Sequence, residues 1–408
     1  MNSQDSGNPL ESEAPRPDAA KRPIILCFVA YYLPGYRSGG PVRTIANFVD
    51  HLGDDFDIRI VTRDRDALDT EPYPDVRVDD WNPVGKAQAF YASRRALSLP
   101  HIAGLLRQTP HDLLYLNSFF AFRFTTLPLL ARRLGLAPCE PCVIAPRGEF
   151  SQGAMALKAW KKRPYAMLSR RLGLYRGLHW QASSDFEAAD IQREVNVPAA
   201  TITVAPNLPP AMSPSMDQPT ERKPGPLRLV FLSRISPMKN LDFLLRVLQQ
   251  VKRDIQLDIY GVIDDDAHWL ECDSIIRNMP SNVVVSNHGA IPHEQVAQTL
   301  AQYHLFVLPT LGENYGHAIA ESISQGTPVL ISDRTPWRDL DIHNTGWDIS
   351  LTKPDRFVEI IEQVSDMDAK TYLSLRKSTV AYARERLTDQ RIIQVNQALM
   401  RSVLGAVS

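Results

Sequence analysis

Cysteine is scarce: Cys27, Cys139, Cys142 and Cys272 are the only four in 408 residues. That is too few for a disulfide scaffold. No Asn-x-Ser/Thr acceptor occurs, which fits a chain that never enters a secretory lumen. An excess of either charge is missing too: 45 Lys and Arg stand against 46 Asp and Glu, a net charge of −1. A dedicated nucleic-acid binder would carry a basic surplus, so nucleic acid is not an expected partner. No apolar run approaches the roughly 18 residues needed to span a bilayer. The start of the chain, through Pro23, is polar and has no apolar core, so residues 1–22 are expected to be a disordered tail, not a signal peptide or anchor. The expected location is the cytoplasm.

What is present is ordinary globular material, 44% hydrophobic and 22% charged. At roughly 100–200 residues per domain, the length fits two or three domains. Apolar runs of strand length at 24–30, 58–61, 113–116, 142–145 and 201–204 alternate with helix-period segments such as 42–52 and 97–107. Near-continuous apolar strands belong to parallel sheets covered on both faces. Residues 206–226 break the rhythm with seven prolines in 21 positions, and read as a linker. The alternation then restarts with strands at 228–232, 255–260, 283–285, 305–308 and 329–331, a helix at 241–251 and an amphipathic helix at 384–404. The expected fold is α/β: two doubly wound, Rossmann-like parallel-sheet domains, 23–205 and 227–385, facing across a cleft, with 386–408 as a C-terminal helix. Ligands of such sheets bind at the carboxyl ends of the strands, so the site is expected between the domains.

Three segments carry chemistry, each after an expected strand. Gly39-Gly40-Pro41 precedes a helix, where backbone N–H groups and the helix N-terminus favour an anion. It reads equally well as a flexible turn. Ser233-Arg234-Ile235-Ser236-Pro237-Met238-Lys239 places a guanidinium and an ammonium at a strand end, which suits a diphosphate or, more blandly, two solvated cations. Glu313 and Glu321 stand eight residues apart. On a continuous helix that is ~12 Å, against ~5 Å for the carboxyls of a retaining glycosidase. With Glu313 in the loop and Glu321 about two turns into the helix, the pair could touch two ends of one elongated ligand. A helix-start charge plus a solvated face is the other reading.

Taken together and in order, these segments resemble the family 4 glycosyltransferases of the GT-B fold, over nearly the whole chain after Pro23. Residues 31–44 and 334–340 resemble the subgroup that builds bacterial surface polysaccharides. The resemblance implies a metal-independent, cofactor-free, retaining transfer from a UDP- or GDP-sugar to a glycan or polyprenyl-diphosphate-linked acceptor. It implies that Arg234 and Lys239 hold the donor diphosphate, Glu313 contacts the donor sugar and Glu321 the ribose. Asn314, Tyr315, Gly316 and His317 would lie against sugar and phosphates, and Gly40, with Gly39 beside it, would back the diphosphate. The base would sit near His288, Gly289, Ala290 and Ile291. The C-terminal helix would cross back to the first domain.

The chemistry of the residues agrees, since positioned cations can take the charge that builds on a leaving diphosphate. His293-Glu294 lacks the second His of a zincin, and Cys139-Glu140-Pro141-Cys142 lacks a second Cys pair. Where several family members have a histidine, this chain reads Pro146-Arg147-Gly148-Glu149. Arg147 is therefore a candidate catalytic residue, and Glu149, Asn117 and Ser118 are acceptor-side candidates; an Arg–Glu surface pair is the alternative. From Phe150 to Ser184 there are seven Lys/Arg and no Asp/Glu, with apolar residues interleaved. Residues 158–176 thus read either as a surface for anionic membrane, at its inner face, or as a solvated helix. Rival readings are a nucleotide-sugar 2-epimerase of the same architecture and a non-catalytic nucleotide-sugar sensor. A dehydrogenase is disfavoured because no Gly-x-Gly-x-x-Gly opens either domain.

Overall fold

The computed structural model describes residues 22–156, 159–210 and 224–405. The expected tail up to residue 21, most of the expected linker and Lys158 lie outside the described residues, while Arg22 donates to the Gly53 carbonyl at 2.7 Å. The first sheet contains β1 (Ile24–Phe28), β2 (Asp57–Arg63), β3 (Trp81–Val84), β4 (Ala87–Ala92), β5 (Leu113–Asn117), β6 (Cys142–Ala145), β7 (His179–Ala182) and β8 (Ile202–Val204). Their order is β3-β4-β2-β1-β5-β6-β7-β8, parallel except for the β3–β4 pair. Its helices are α1 (Gly40–Leu52), α2 (Leu99–Gln108), α3 (Leu127–Arg133), α4 (Gln152–Ala156), α5 (Ala159–Arg171) and α6 (Asp185–Val195).

The second sheet contains β9 (Leu227–Leu232), β10 (Ile255–Tyr260), β11 (Val283–Gly289), β12 (Leu305–Leu308), β13 (Val329–Ser332) and β14 (Gly346–Ile349), all parallel, in the order β11-β10-β9-β12-β13-β14. Its helices are α7 (Leu241–Leu248), α8 (Asp266–Ile276), α9 (His293–Ala301), α10 (His317–Ser324), α11 (Pro354–Asp366) and α12 (Ala369–Leu387); α13 (Gln390–Gly405) follows.

The apolar runs have the expected cause. In β1, Leu26 and Phe28 pack into one core with α2, α3 and Trp180, while Ile25 and Cys27 pack into another with Ile45, Phe48 and Val49 of α1. A strand buried on both faces has no position left for a polar residue. Removing a side chain such as Phe28 or Phe48 would cost about 3–5 kcal/mol.

The expected helix at 384–404 is two helices, broken at Thr388 and Asp389. After the break, α13 returns to the first sheet. Leu399, Met400 and Val403 join the α1 core, Gln397 donates to Asp55 at 2.7 Å, and Asn396 donates to the Pro206 carbonyl at 2.9 Å. Residues 206–210, expected to open the linker, are packed: Leu208 is buried and its carbonyl accepts from Asn47.

The parallel strands of each sheet reverse their order once, β1 against β5 in the first and β9 against β12 in the second. Such reversals leave a crevice at the carboxyl ends of the two strands.

Candidate functional site

The second-sheet crevice is built by the loops after β9 and β12. A short turn at Pro237–Lys239 ends in Asn240 at φ 59°, whose side chain donates to the Pro309 carbonyl. Thr310 Oγ1 and Leu311 N both donate to the Met238 carbonyl. These bonds fasten the two loops together. Lys239 Nζ then donates to Glu313 Oε1 at 2.5 Å, with both side chains mostly buried. Arg234 is more open and pairs with Asp264 at 2.8 Å. Glu313 N donates to the Arg334 carbonyl, and Trp337 Nε1 donates to the Tyr315 carbonyl at 2.6 Å, so residues 334–337 brace this loop from behind.

Gly316 starts α10 at φ 79°, and a Cβ there would lie 2.8 Å from Ile319 Cδ1. Only glycine fits that turn without displacing Ile319. His317 is therefore the first residue of α10, and Glu321 lies one turn into the helix, not two. Across the cleft, Gly39 at φ 63° precedes α1. The N-termini of α1 and α10 are opposed, and a hydrogen bond between Thr44 Oγ1 and His317 Nε2 at 2.9 Å joins them. Each helix start concentrates positive potential and free N–H groups.

The charged groups around this junction have shifted equilibria. Burial pushes Glu321 up to about 7, with the Arg43 charge pulling the other way. Burial lowers His317 to about 3, and Arg43 and Arg147 push in the same direction. His293, whose Nδ1 is 3.7 Å from Glu321 Oε1, falls to about 4 through burial and Arg43. Burial also lowers Arg43, opposed by Glu321. At neutral pH both histidines are uncharged donors or acceptors.

On the first sheet, Arg147 follows β6 in the left-handed region, φ 58°. Among the described residues, its guanidinium is held by neutral oxygens: Asn117 Oδ1 at 3.0 Å, Asn207 Oδ1 and the Tyr115 hydroxyl. Arg147 and Glu149 do not form the surface ion pair that was the alternative reading. Glu149 is half-buried at the cleft wall and accepts from Ser118 Oγ at 2.6 Å, Phe119 N at 2.5 Å and Phe120 N at 3.0 Å. Burial raises this carboxyl, and those donors lower it. Its oxygens are committed to the loop after β5. Asn117 and Ser118 lie outside the cleft lining, Asn117 supporting Arg147 and Ser118 supporting Glu149. The two halves also meet where Ser183 Oγ donates to Asn314 Oδ1 at 2.7 Å, beside Gly148.

The cleft encloses about 1420 Å³. Gly39, Gly40, Arg147, Arg234, Lys239, Glu313, Asn314, Tyr315, Gly316, His317, Glu321 and Ala290 all line it. His288 and Gly289 do not: the His288 ring stacks on Tyr260 and bonds Asp258 at 2.9 Å, so the edge near the expected base position is formed by Ala290 and Ile291. Sequence reading missed Arg43, Thr44, Ser183 and His293. For Arg43 a signal existed, because it stands one helical turn after Gly39-Gly40 and so shares their end of α1. Among the described residues, no group of three or more His, Cys, Asp or Glu is placed to hold a metal ion. No described helix is long and apolar enough to cross a membrane.

Residues 39–208 match the glycosyl transferase 4-like domain and residues 213–386 match glycosyl transferases group 1. The UDP-N-acetylglucosamine–peptide N-acetylglucosaminyltransferase GtfA subunit of Streptococcus pneumoniae is 26% identical over 121 residues, 28% of this chain and 23% of that protein. The chain thus matches less than a quarter of that relative's length. Anabaena HepE in complex with UDP-glucose superposes with a TM-score of 0.66 at 15% identity, covering 93% of this chain and 99% of that one. Sucrose-phosphate synthase from Thermosynechococcus elongatus gives 0.69 at 17% identity, covering 95% and 100%. WaaG, a glycosyltransferase involved in lipopolysaccharide biosynthesis, gives 0.63 at 14% identity, covering 92% and 99%. With both family models matched in order along the chain, and two parallel sheets meeting at this cleft, the chain belongs to the family 4-like glycosyltransferases of the GT-B fold.

Proposed function

We propose that this glycosyltransferase moves a hexose or related sugar from a UDP- or GDP-sugar to a glycan or lipid-linked acceptor of a cell-surface polysaccharide, with retention at the anomeric carbon and without a metal. The observation that carries the reading is the pair of opposed helix N-termini at Gly40 and His317, with Lys239 and Arg234 beside them. That arrangement suits a diphosphate held between the two halves. HepE, solved with UDP-glucose, shares the fold and supports a nucleotide-sugar donor. WaaG, named for lipopolysaccharide biosynthesis, supports a surface glycan as product.

In this reading the bond from the anomeric carbon to the diphosphate oxygen breaks, and the acceptor hydroxyl oxygen forms the new bond. The hydroxyl proton leaves with the departing phosphate. Arg234 and Lys239 take the charge that builds on the diphosphate, where fixed cations in a dry site are most effective. Glu313 meets the sugar hydroxyls and Glu321 the ribose, while Arg147 adds positive potential from the first half. Asn314 to His317 lie along sugar and phosphates through their backbone. The enzyme works in the cytoplasm, at the inner face of the membrane.

A thermal-shift screen against UDP-, GDP- and ADP-sugars tests the donor. A ligand that binds only the folded state raises the apparent stability. One nucleotide class should raise the Tm strongly, and Arg234→Ala should abolish the shift. An unchanged shift in that variant removes the diphosphate assignment. Donor consumed with no acceptor present would favour the epimerase instead.

A further inference from the structure

Helix α5 carries apolar side chains on two opposite faces. Tyr165, Ala166 and Ser169 turn inward, Tyr165 against Phe119 and Phe120. At 3.6 residues per turn, the opposite side is formed by Trp160, Pro164, Met167, Leu168 and Arg171, and Leu172 follows just past the end of the helix. A solvated helix would be polar there. Instead Trp160 is 73% exposed, Met167 69%, Leu168 57% and Leu172 54%. Exposed cations surround this stripe: Lys161, Arg163, Arg170 and Arg176 beside it and Arg171 within it. Arg133, at the end of α3, reaches Gly173. No Asp or Glu occurs between 150 and 184. Among the described residues, Arg163, Arg170, Arg171 and Arg176 form no ion pair.

We propose that this outer face of α5 docks on the surface of an anionic lipid bilayer, with Trp160, Met167, Leu168 and Leu172 entering the headgroup boundary and the arginines meeting lipid phosphates. Charge selects this occupant. A second copy of the chain would bring two strongly basic faces together, whereas an anionic bilayer neutralises one. The docked face is close to the cleft. Ser151, Gly153 and Ala154 line the cleft, and Lys162 Nζ donates to the Ala154 carbonyl at 2.7 Å, tying α5 to that edge. A lipid-linked acceptor in the same leaflet would then reach the cleft from its first-sheet side. This last step rests on the transfer proposed above, but the docking itself does not.

The test is co-sedimentation of the full chain with vesicles of phosphatidylcholine alone or of phosphatidylcholine with one quarter phosphatidylglycerol. The chain should pellet with the anionic vesicles and be released by high salt. Met167→Glu/Leu168→Glu and Arg170→Glu/Arg171→Glu should each lower the partition coefficient at least tenfold, with the donor-induced thermal shift intact as proof of folding. Equal binding to neutral vesicles, or variants that bind like the parent, would overturn the proposal. So would self-association of the parent that Met167→Glu/Leu168→Glu abolishes, because the face would then belong to a second copy. Loss of the donor shift in the parent, with vesicle binding intact, would count against the donor reading alone.

Discussion

His317 Nε2 and Thr44 Oγ1, 2.9 Å apart, join the first turns of two helices that belong to different sheets. Thr44 spends its one hydroxyl proton on the Gly40 carbonyl at 3.0 Å. Its oxygen therefore accepts from His317, which fixes the neutral Nε2–H tautomer, in keeping with a pKa lowered to about 3. Thr44→Val keeps the shape and removes the acceptor. Leaving a buried donor unpaired costs about 1–3 kcal/mol. Urea unfolding of the variant should read a loss of that order, and an unchanged midpoint would mean that the junction contributes nothing.

The Lys239–Glu313 pair makes a different prediction. If Lys239 takes leaving-group charge, Lys239→Ala should lower kcat by roughly 10²–10³, as for other preorganised electrostatic groups. Steady-state kinetics with saturating donor reads this directly. A variant that raises only the donor KM would assign Lys239 to ground-state binding.

Glu321 gives a pH dependence whose sign is fixed. Its carboxyl titrates near 4.5 when unfolded and about 7 when folded. The folded state binds the proton more tightly, so this contribution is fully present below pH 4.5 and is lost as pH rises through 7. The shift corresponds to roughly 3 kcal/mol at ~1.4 kcal/mol per unit. Glu321→Gln does not titrate. Relative to the parent, its Tm should improve between about pH 5 and pH 8, read by calorimetry. A constant difference across that range would place the Glu321 carboxyl at an ordinary value.

Glu149 is expected to behave as a structural residue. Two backbone N–H groups and the Ser118 hydroxyl converge on its carboxyl. Gln offers a single acceptor oxygen and turns an NH₂ group toward donors. Glu149→Gln should lower stability by about 1–3 kcal/mol. In the folded fraction, kcat should stay within a few-fold of the parent. A large fall in kcat at unchanged Tm would return Glu149 to the acceptor side.

Much of this architecture was legible because both faces of the central strands are buried, so their apolar runs are unbroken. The β3–β4 hairpin was not legible. Pro83 sits in β3, which pairs only with β4 at the sheet edge, where proline is tolerated. The runs that form β7 and β14, His179–Ala182 and Gly346–Ile349, include polar residues and are short. Among the cleft-lining residues, Arg234, Lys239 and Glu313 were readable because each follows an unbroken apolar strand run and sits in a segment that resembles the family. His288 was not, because its stacking on Tyr260 and its bond to Asp258 depend on the neighbouring strand β10. Of the acceptor-side candidates, Glu149 lines the cleft, and Asn117 and Ser118 lie behind it. The structure turns their polar atoms toward one another and toward Arg147.

The most direct test of the central claim is a crystal structure of the chain with a non-hydrolysable UDP- or GDP-sugar. The account predicts the diphosphate between the starts of α1 and α10, with Lys239 Nζ and the Arg234 guanidinium on its oxygens. Nucleotide bound outside this cleft, or within it with both side chains turned away, would contradict it.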